Sequence, residues 1–142
     1  MSNFLVAIND SNDIECAFKH VMERHRTQPG TLFLLNVQTP ISKFITRFVS
    51  RKQVEEFHQE NGMQILQPMI DRLDTAGVPH QECIVVGHKA ESIVRFAREH
   101  QCSQIVVPKH KGMFENIGLG SVGSQLRQLI GAEGSCDISE VY

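Results

Sequence analysis

The stretch FLVAINDSNDIECAFKHVM, residues 4–22, decides the fold. Phe4-Leu5-Val6-Ala7-Ile8 is an apolar run without alternation, which is how a strand buried on both faces reads. Asn9-Asp10-Ser11-Asn12 ends it with residues that favour turns and helix starts. Ile14, Ala17, Phe18, Val21 and Met22 then recur at helical spacing and mark one face of a helix. A buried strand that turns directly into an amphipathic helix is the first half of a strand–helix–strand unit with a parallel partner.

The same change of period repeats along the chain. Pro29-Gly30 punctuates, and Leu32-Phe33-Leu34-Leu35-Asn36-Val37 is a second buried strand. Residues 53–76 carry Leu66, Met69, Ile70 and Leu73 on one side, and Pro68 is expected to bend or split that helix. Gly77-Val78-Pro79 stops it. Cys83-Ile84-Val85-Val86 reads as a third strand ended by Gly87, and Ala90, Ile93, Val94 and Ala97 trace the next helix. Ile105-Val106-Val107, closed by Pro108, is a fourth strand. A loop leads from there to Ser121, where Val122, Leu126, Leu129 and Ile130 give a last helix, and Cys136 to Tyr142 is a weak fifth strand. Right-handed crossovers turn this order into an α/β three-layer sandwich, a five-stranded parallel sheet with helices on both faces. Ligands of such sheets sit beyond the carboxyl ends of the strands, so the turns after Ile8, Val37, Val86 and Val107 hold the candidate site.

With 142 residues the chain is the size of a single domain, 1–142. Its 41% hydrophobic and 21% charged residues exclude disorder and fibrous repeats. A formal net charge of -2 argues against nucleic-acid binding by the surface as a whole. No apolar run reaches the roughly 18 to 20 residues of a membrane span. The first residues lack the basic start of a signal peptide, so the expected location is cytoplasmic. Cys16, Cys83, Cys102 and Cys136 are scattered and read as reduced, mostly buried thiols. The seven histidines fall in no ligand spacing, so no metal site is expected.

Three segments are candidates for chemistry. Gly118-Leu119-Gly120-Ser121-Val122-Gly123 matches G-x-G-x-x-G, but it does not follow the first strand and no acidic partner lies far enough beyond it. What survives is Gly120-Ser121 opening a helix, where free N–H groups suit an anion, or where Ser121 is an ordinary cap. Asn9-Asp10-Ser11, at the end of the first strand, either meets a ligand's polar edge, or Asp10, Ser11 or Asn12 caps the following helix. In residues 39–52, Ile41, Phe44, Ile45, Phe48 and Val49 recur at helical spacing beside Lys43, Arg47, Arg51 and Lys52, with no acid among them. This pattern predicts a basic amphipathic helix over 41–49 that packs on its own domain or across a dimer, or docks a partner or a membrane surface.

Four blocks in order, FLVAINDS, LFLLNVQTP, CIVVGHKAESIVRFAREHQCSQIVV and GLGSVGSQL, resemble the universal stress protein domain over nearly the whole chain. The resemblance implies the adenine nucleotide alpha hydrolase-like fold and often a homodimer. In many members it also implies ATP or AMP held through G-2x-G-9x-G-[ST], with Mg²⁺ only in company of the nucleotide. Carried over by position, Gly120 and Ser121 match the final pair, Val122 follows as in the family, and Val37 takes the position near the base. The family aspartate falls on Asn9, with Asp10 one place later. The two earlier glycines are replaced by Val107 and His110, so the motif is degenerate. Glycine there lets the backbone approach a phosphate. In its place, Lys109, His110 and Lys111 offer positive side chains. A common acidic-proline pair after Gly87 is here His88-Lys89, and Asp137 stands where the last strand of many members has proline.

The functional reading is a small regulatory protein without catalytic residues that binds an adenine nucleotide. Its sites are Asn9, Asp10, Val37, Lys109, His110, Gly120, Ser121 and Val122. The alternative is a module that binds no nucleotide and acts through dimerisation or partner docking by the 41–49 helix, with a protein partner held through residues 41–52.

Overall fold

The computed structural model describes residues 3–10 and 13–108, and the backbone of 137–141. Five strands form one sheet: β1 (Asn3–Ala7), β2 (Leu32–Gln38), β3 (His80–Val86), β4 (Cys102–Pro108) and β5 (Asp137–Val141). Their order is β3-β2-β1-β4-β5, and every neighbouring pair is parallel. Four helices are described: α1 (Ile14–Thr27), the single turn α2 (Lys43–Thr46), α3 (Arg51–Ala76) and α4 (Lys89–Glu99). None of them is long and apolar enough to cross a membrane.

Alternation along the strands divides the core into two layers. Phe4, Val6 and Ile8 of the first strand and its end join Leu32, Leu34 and Val106 under α1 and α3, which contribute Ile14, Ala17, Val21, Leu66, Met69, Ile70 and Leu73. Leu5, Ala7, Phe33, Leu35, Val37, Ile105 and Val107 face the other way, onto Ala90, Ile93, Val94, Phe96 and Ala97 of α4. Both faces of β1 and β2 are thus covered, which is why those strands lack polar alternation. The three-layer α/β sandwich expected from the sequence is the one observed.

Several local expectations are corrected. Pro68 does not split α3, which runs unbroken from Arg51 to Ala76. The proline is on the exposed side, while Leu66, Met69 and Ile70 on either side of it are buried. Anchoring of those side chains holds both halves to the sheet, and the missing N–H falls on the solvent side. Gly77 ends the helix at φ 73°, in the left-handed region where a Cβ is unfavourable. β3 lies at an edge of the sheet and is only half-buried. Of the cysteines, Cys102 is buried, Cys16 and Cys83 are half-buried, and Cys136 lies outside the described residues.

The predicted helix over 41–49 is the largest departure. Helical structure there covers only Lys43–Thr46, and α2 buries none of its residues. Ser42 caps it, accepting from the Ile45 N–H. Ser50 then starts α3 with a reciprocal capping box to Gln53, in extended backbone. Two caps eight residues apart compete for the chain, and the β-branched Ile45, Thr46 and Val49 do little to bridge them. Phe44, Ile45 and Phe48 are left exposed instead of packed on their own domain.

Gly62 sets how closely α3 approaches β3. A Cβ built there would lie 2.7–2.8 Å from three side-chain atoms of Ile84. Overpacking of this kind costs about 1–3 kcal/mol, and the better helix propensity of alanine returns about 1 kcal/mol. Gly62→Ala is therefore expected to lower stability in urea unfolding by roughly 1 kcal/mol, and the loss should shrink in an Ile84→Val background. An additive double variant would place the contact elsewhere.

Candidate functional site

Where the winding reverses, β1 lies between β2 and β4, and the turn after β1 sits at the head of the crevice. The register pairs Ala7 with Leu35 and Val6 with Val106. The Ile8 N–H donates to the Leu35 carbonyl at 2.9 Å and continues that ladder, which brings Asn9 level with Val37. Two of the candidate residues, Asn9 and Val37, thus meet at adjacent strand ends, and exposed Asp10 follows Asn9 in the turn. Val37 is buried on the α4 side.

The cap position of α1 is not Asp10, and Ser11 and Asn12 lie outside the described residues. The cap is Asp13, 2% exposed, whose side chain works backwards. Its Oδ2 accepts from the Asn9 and Asp10 backbone N–H groups, each at 3.0 Å, and its own N–H donates to the Asp10 carbonyl at 3.0 Å. One buried carboxylate therefore fixes the turn that presents Asn9. The Asn9 Oδ1 atom is itself buried, and it accepts no hydrogen bond among the described residues. Behind the turn, the Cys16 thiol donates to the Asp13 carbonyl at 3.3 Å. Burial and then the Asp13 charge push this thiol above its ordinary range, so it stays protonated and is a poor nucleophile. Burial raises the Cys83 thiol in the same way.

A second feature escaped sequence reasoning. Asn36 and Gln38 point from β2 to the α3 side and are buried, as is His58 on α3, at 4% exposure. The Asn36 Nδ2 donates to the Ile8 carbonyl at 2.8 Å, and Gln38 Nε2 donates to Asn36 Oδ1. Gln38 Oε1 accepts from Asn61 Nδ2 at 3.0 Å and faces His58 Nδ1 at 3.2 Å. The directions follow from one another. A backbone carbonyl needs a donor, so Asn36 turns its oxygen to Gln38, Gln38 turns its own to α3, and His58 must carry its proton on Nδ1. Its Nε2 is buried with no partner among the described residues. The Gln38 carbonyl also accepts the Gly87 N–H at 3.0 Å, and a Cβ on Gly87 would meet Ser92 Oγ at 2.6 Å. The only sequence signal was polar Asn36 inside an otherwise apolar strand.

Lys109, His110, Gly120, Ser121 and Val122, and with them the glycine-bearing loop and the expected last helix, lie outside the described residues. β4 ends at Pro108 beside β1, so the segment that carries them starts at the crevice.

The family model of the universal stress protein family matches residues 1–130. No curated protein sequence matches the chain. Among solved structures, the chain is similar to a universal stress protein from Lactobacillus plantarum, at 15% identity and a TM-score of 0.74, covering 99% of this chain and 97% of that one. It is similar to a family member from Arabidopsis thaliana with AMP bound, at 18% identity, a TM-score of 0.64, and coverage of 99% and 91%. It is also similar to the universal stress protein from Archaeoglobus fulgidus in complex with dAMP, at 16% identity, a TM-score of 0.64, and coverage of 100% and 98%.

Proposed function

The chain belongs to the universal stress protein family, and from that premise we propose that it is a small non-catalytic protein of the cytoplasm that binds an adenine nucleotide, AMP or ATP, at the carboxyl ends of β1, β2 and β4. The observation that carries the reading is the buried acceptor Asn9 Oδ1, held by a turn that Asp13 fixes and left without a partner among the described residues. A buried acceptor is costly unless a donor reaches it, and a base amino group or a ribose hydroxyl is such a donor. Two similar structures hold adenine nucleotides, AMP and dAMP. In this reading the base lies by Val37, Asn9 and Asp10 take its polar edge or the ribose, and Gly120, Ser121 and Val122 give N–H groups to the phosphates. Lys109 and His110 replace with charge what the lost glycines would supply through backbone. Mg²⁺ enters only with the nucleotide. Pairing of two copies along the β5 edge of the sheet gives a homodimer.

The absence of chemistry in this proposal rests on what the site offers. The Cys16 and Cys83 thiols are held protonated. Among the described residues of the turn, Asp13 is committed to backbone N–H groups, which leaves exposed Asp10 as a thin set for phosphoryl transfer, a reaction that needs a positioned water and stabilised charge. A chain that binds ATP without turnover agrees with it. Turnover above a blank, abolished by Asp10→Ala, contradicts it.

A thermal melt with millimolar Mg-ATP, with GMP as control, tests the binding. A ligand at a hundredfold excess over its Kd stabilises the fold by about 2.7 kcal/mol. In a domain of this size that raises the midpoint by roughly 5–10 °C. A rise with ATP and not with GMP is expected, and equal or absent shifts reject the site. A second reading, partner docking by residues 41–52 without any nucleotide, is favoured by the exposure of Phe44 and Phe48. It predicts indifference to ATP and loss of function when both rings are made polar.

A further inference from the structure

The segment between β2 and α3 presents apolar and basic side chains together. Phe44 is 69% and Phe48 76% exposed, and Ile45 and Val49 of the same segment are exposed as well. The two rings meet edge to face at 5.8 Å, so they stand as one apolar knob. Lys43, Arg47, Arg51 and Lys52 belong to the same stretch of chain, all four exposed, and none forms an ion pair among the described residues. The rest of the chain holds ten of the fourteen Lys and Arg and all sixteen Asp and Glu. Residues 39–52 thus carry four bases and no acid, while the rest of the sequence holds more acids than Lys and Arg.

We propose that this tip docks on an anionic lipid membrane, Phe44 and Phe48 entering the interface and the four bases meeting the headgroups. The inference is independent of whether the crevice holds a nucleotide. Charge complementarity selects the occupant. A second copy of the same patch would set four bases against four, and like charges oppose that pairing. An acidic protein would need a groove to receive a segment in which residues 42–45 and 47–53 are all exposed. A membrane needs only negative charge and an apolar interior, and this segment offers four bases and exposed rings with no acid among them.

Flotation of the full chain with vesicles tests the proposal. Partition is expected onto phosphatidylcholine vesicles containing about a third phosphatidylglycerol, and not onto phosphatidylcholine alone; each Lys or Arg changed to Gln is expected to weaken it about fivefold. Raising the salt should release the protein, since the charges are exposed. The Phe44→Ser/Phe48→Ser variant should bind at least about tenfold more weakly with an unchanged thermal midpoint, because neither ring is packed in the core. Absence of partition onto the anionic vesicles overturns the proposal, and so does equal binding by the Ser variant. Retention on immobilised polyglutamate without partition onto vesicles would also overturn it and assign the surface to an acidic protein.

Discussion

A Gln38→Leu variant is expected to lose about 3 kcal/mol of folding stability and to melt roughly 10 °C lower than the parent chain. Gln38 is the hub through which β2 speaks to both β1 and α3. Its Nε2 donates to Asn36, and its Oε1 receives Asn61 and His58. Leucine matches the size and is apolar, so the change leaves packing nearly intact and removes only the polar partner. Three buried or half-buried groups are then stranded, and each unsatisfied buried group costs about 1–3 kcal/mol, with part of the total recovered by relaxation. Chemical denaturation with an unchanged slope checks the number. Replacing His58 as well, in Gln38→Leu/His58→Leu, should return part of the loss, because removing both partners is cheaper than removing one. A loss below about 1 kcal/mol in the single variant would mean that the network does not hold the strand ends.

Asp13→Ala is expected to cost about 2–4 kcal/mol, from two hydrogen bonds to a charged acceptor at about 1.5–3 kcal/mol each, less what water recovers. The effect reaches beyond stability. The two N–H groups it releases are those of Asn9 and Asp10, so the turn that presents Asn9 loses its support. Nucleotide affinity should therefore fall even though Asp13 itself touches no ligand in this account. Asp13→Asn keeps one neutral acceptor and should fall between the two in both stability and affinity. Urea unfolding and a nucleotide titration on the same preparations check the pair of effects. Full affinity in Asp13→Ala would show that Asn9 needs no fixed turn.

Much of the architecture was legible because burial on both faces leaves a plain signature. Phe4–Ile8 and Leu32–Val37 are apolar without alternation, and the helices that cover them keep a clear stripe. The 41–49 segment misled because its apolar spacing obeys helical period while its ends do not. Ser42 and Ser50 are both caps, and local capping outweighs periodicity over so few residues. Pro68 misled in the opposite sense, because tertiary anchoring of Leu66, Met69 and Ile70 outweighed the local penalty. Of the site, Asn9, Asp10 and Val37 could be placed from strand ends alone. Asp13 and the Asn36–Gln38–His58 relay could not, since their roles depend on which residues from distant segments turn inward to meet. A lone polar residue in a buried strand is the one trace such a relay leaves.

Hydrogen exchange of the backbone amides, followed with and without saturating ATP, reports both whether the nucleotide binds and where. Protection is expected to rise at residues 8–10 and 37–39, at the strand ends, and in the segment 109–122, while the turns at the amino ends of the strands, such as 28–31 and 77–79, exchange unchanged. No added protection, or protection confined to the amino ends, would contradict a nucleotide site at the head of β1.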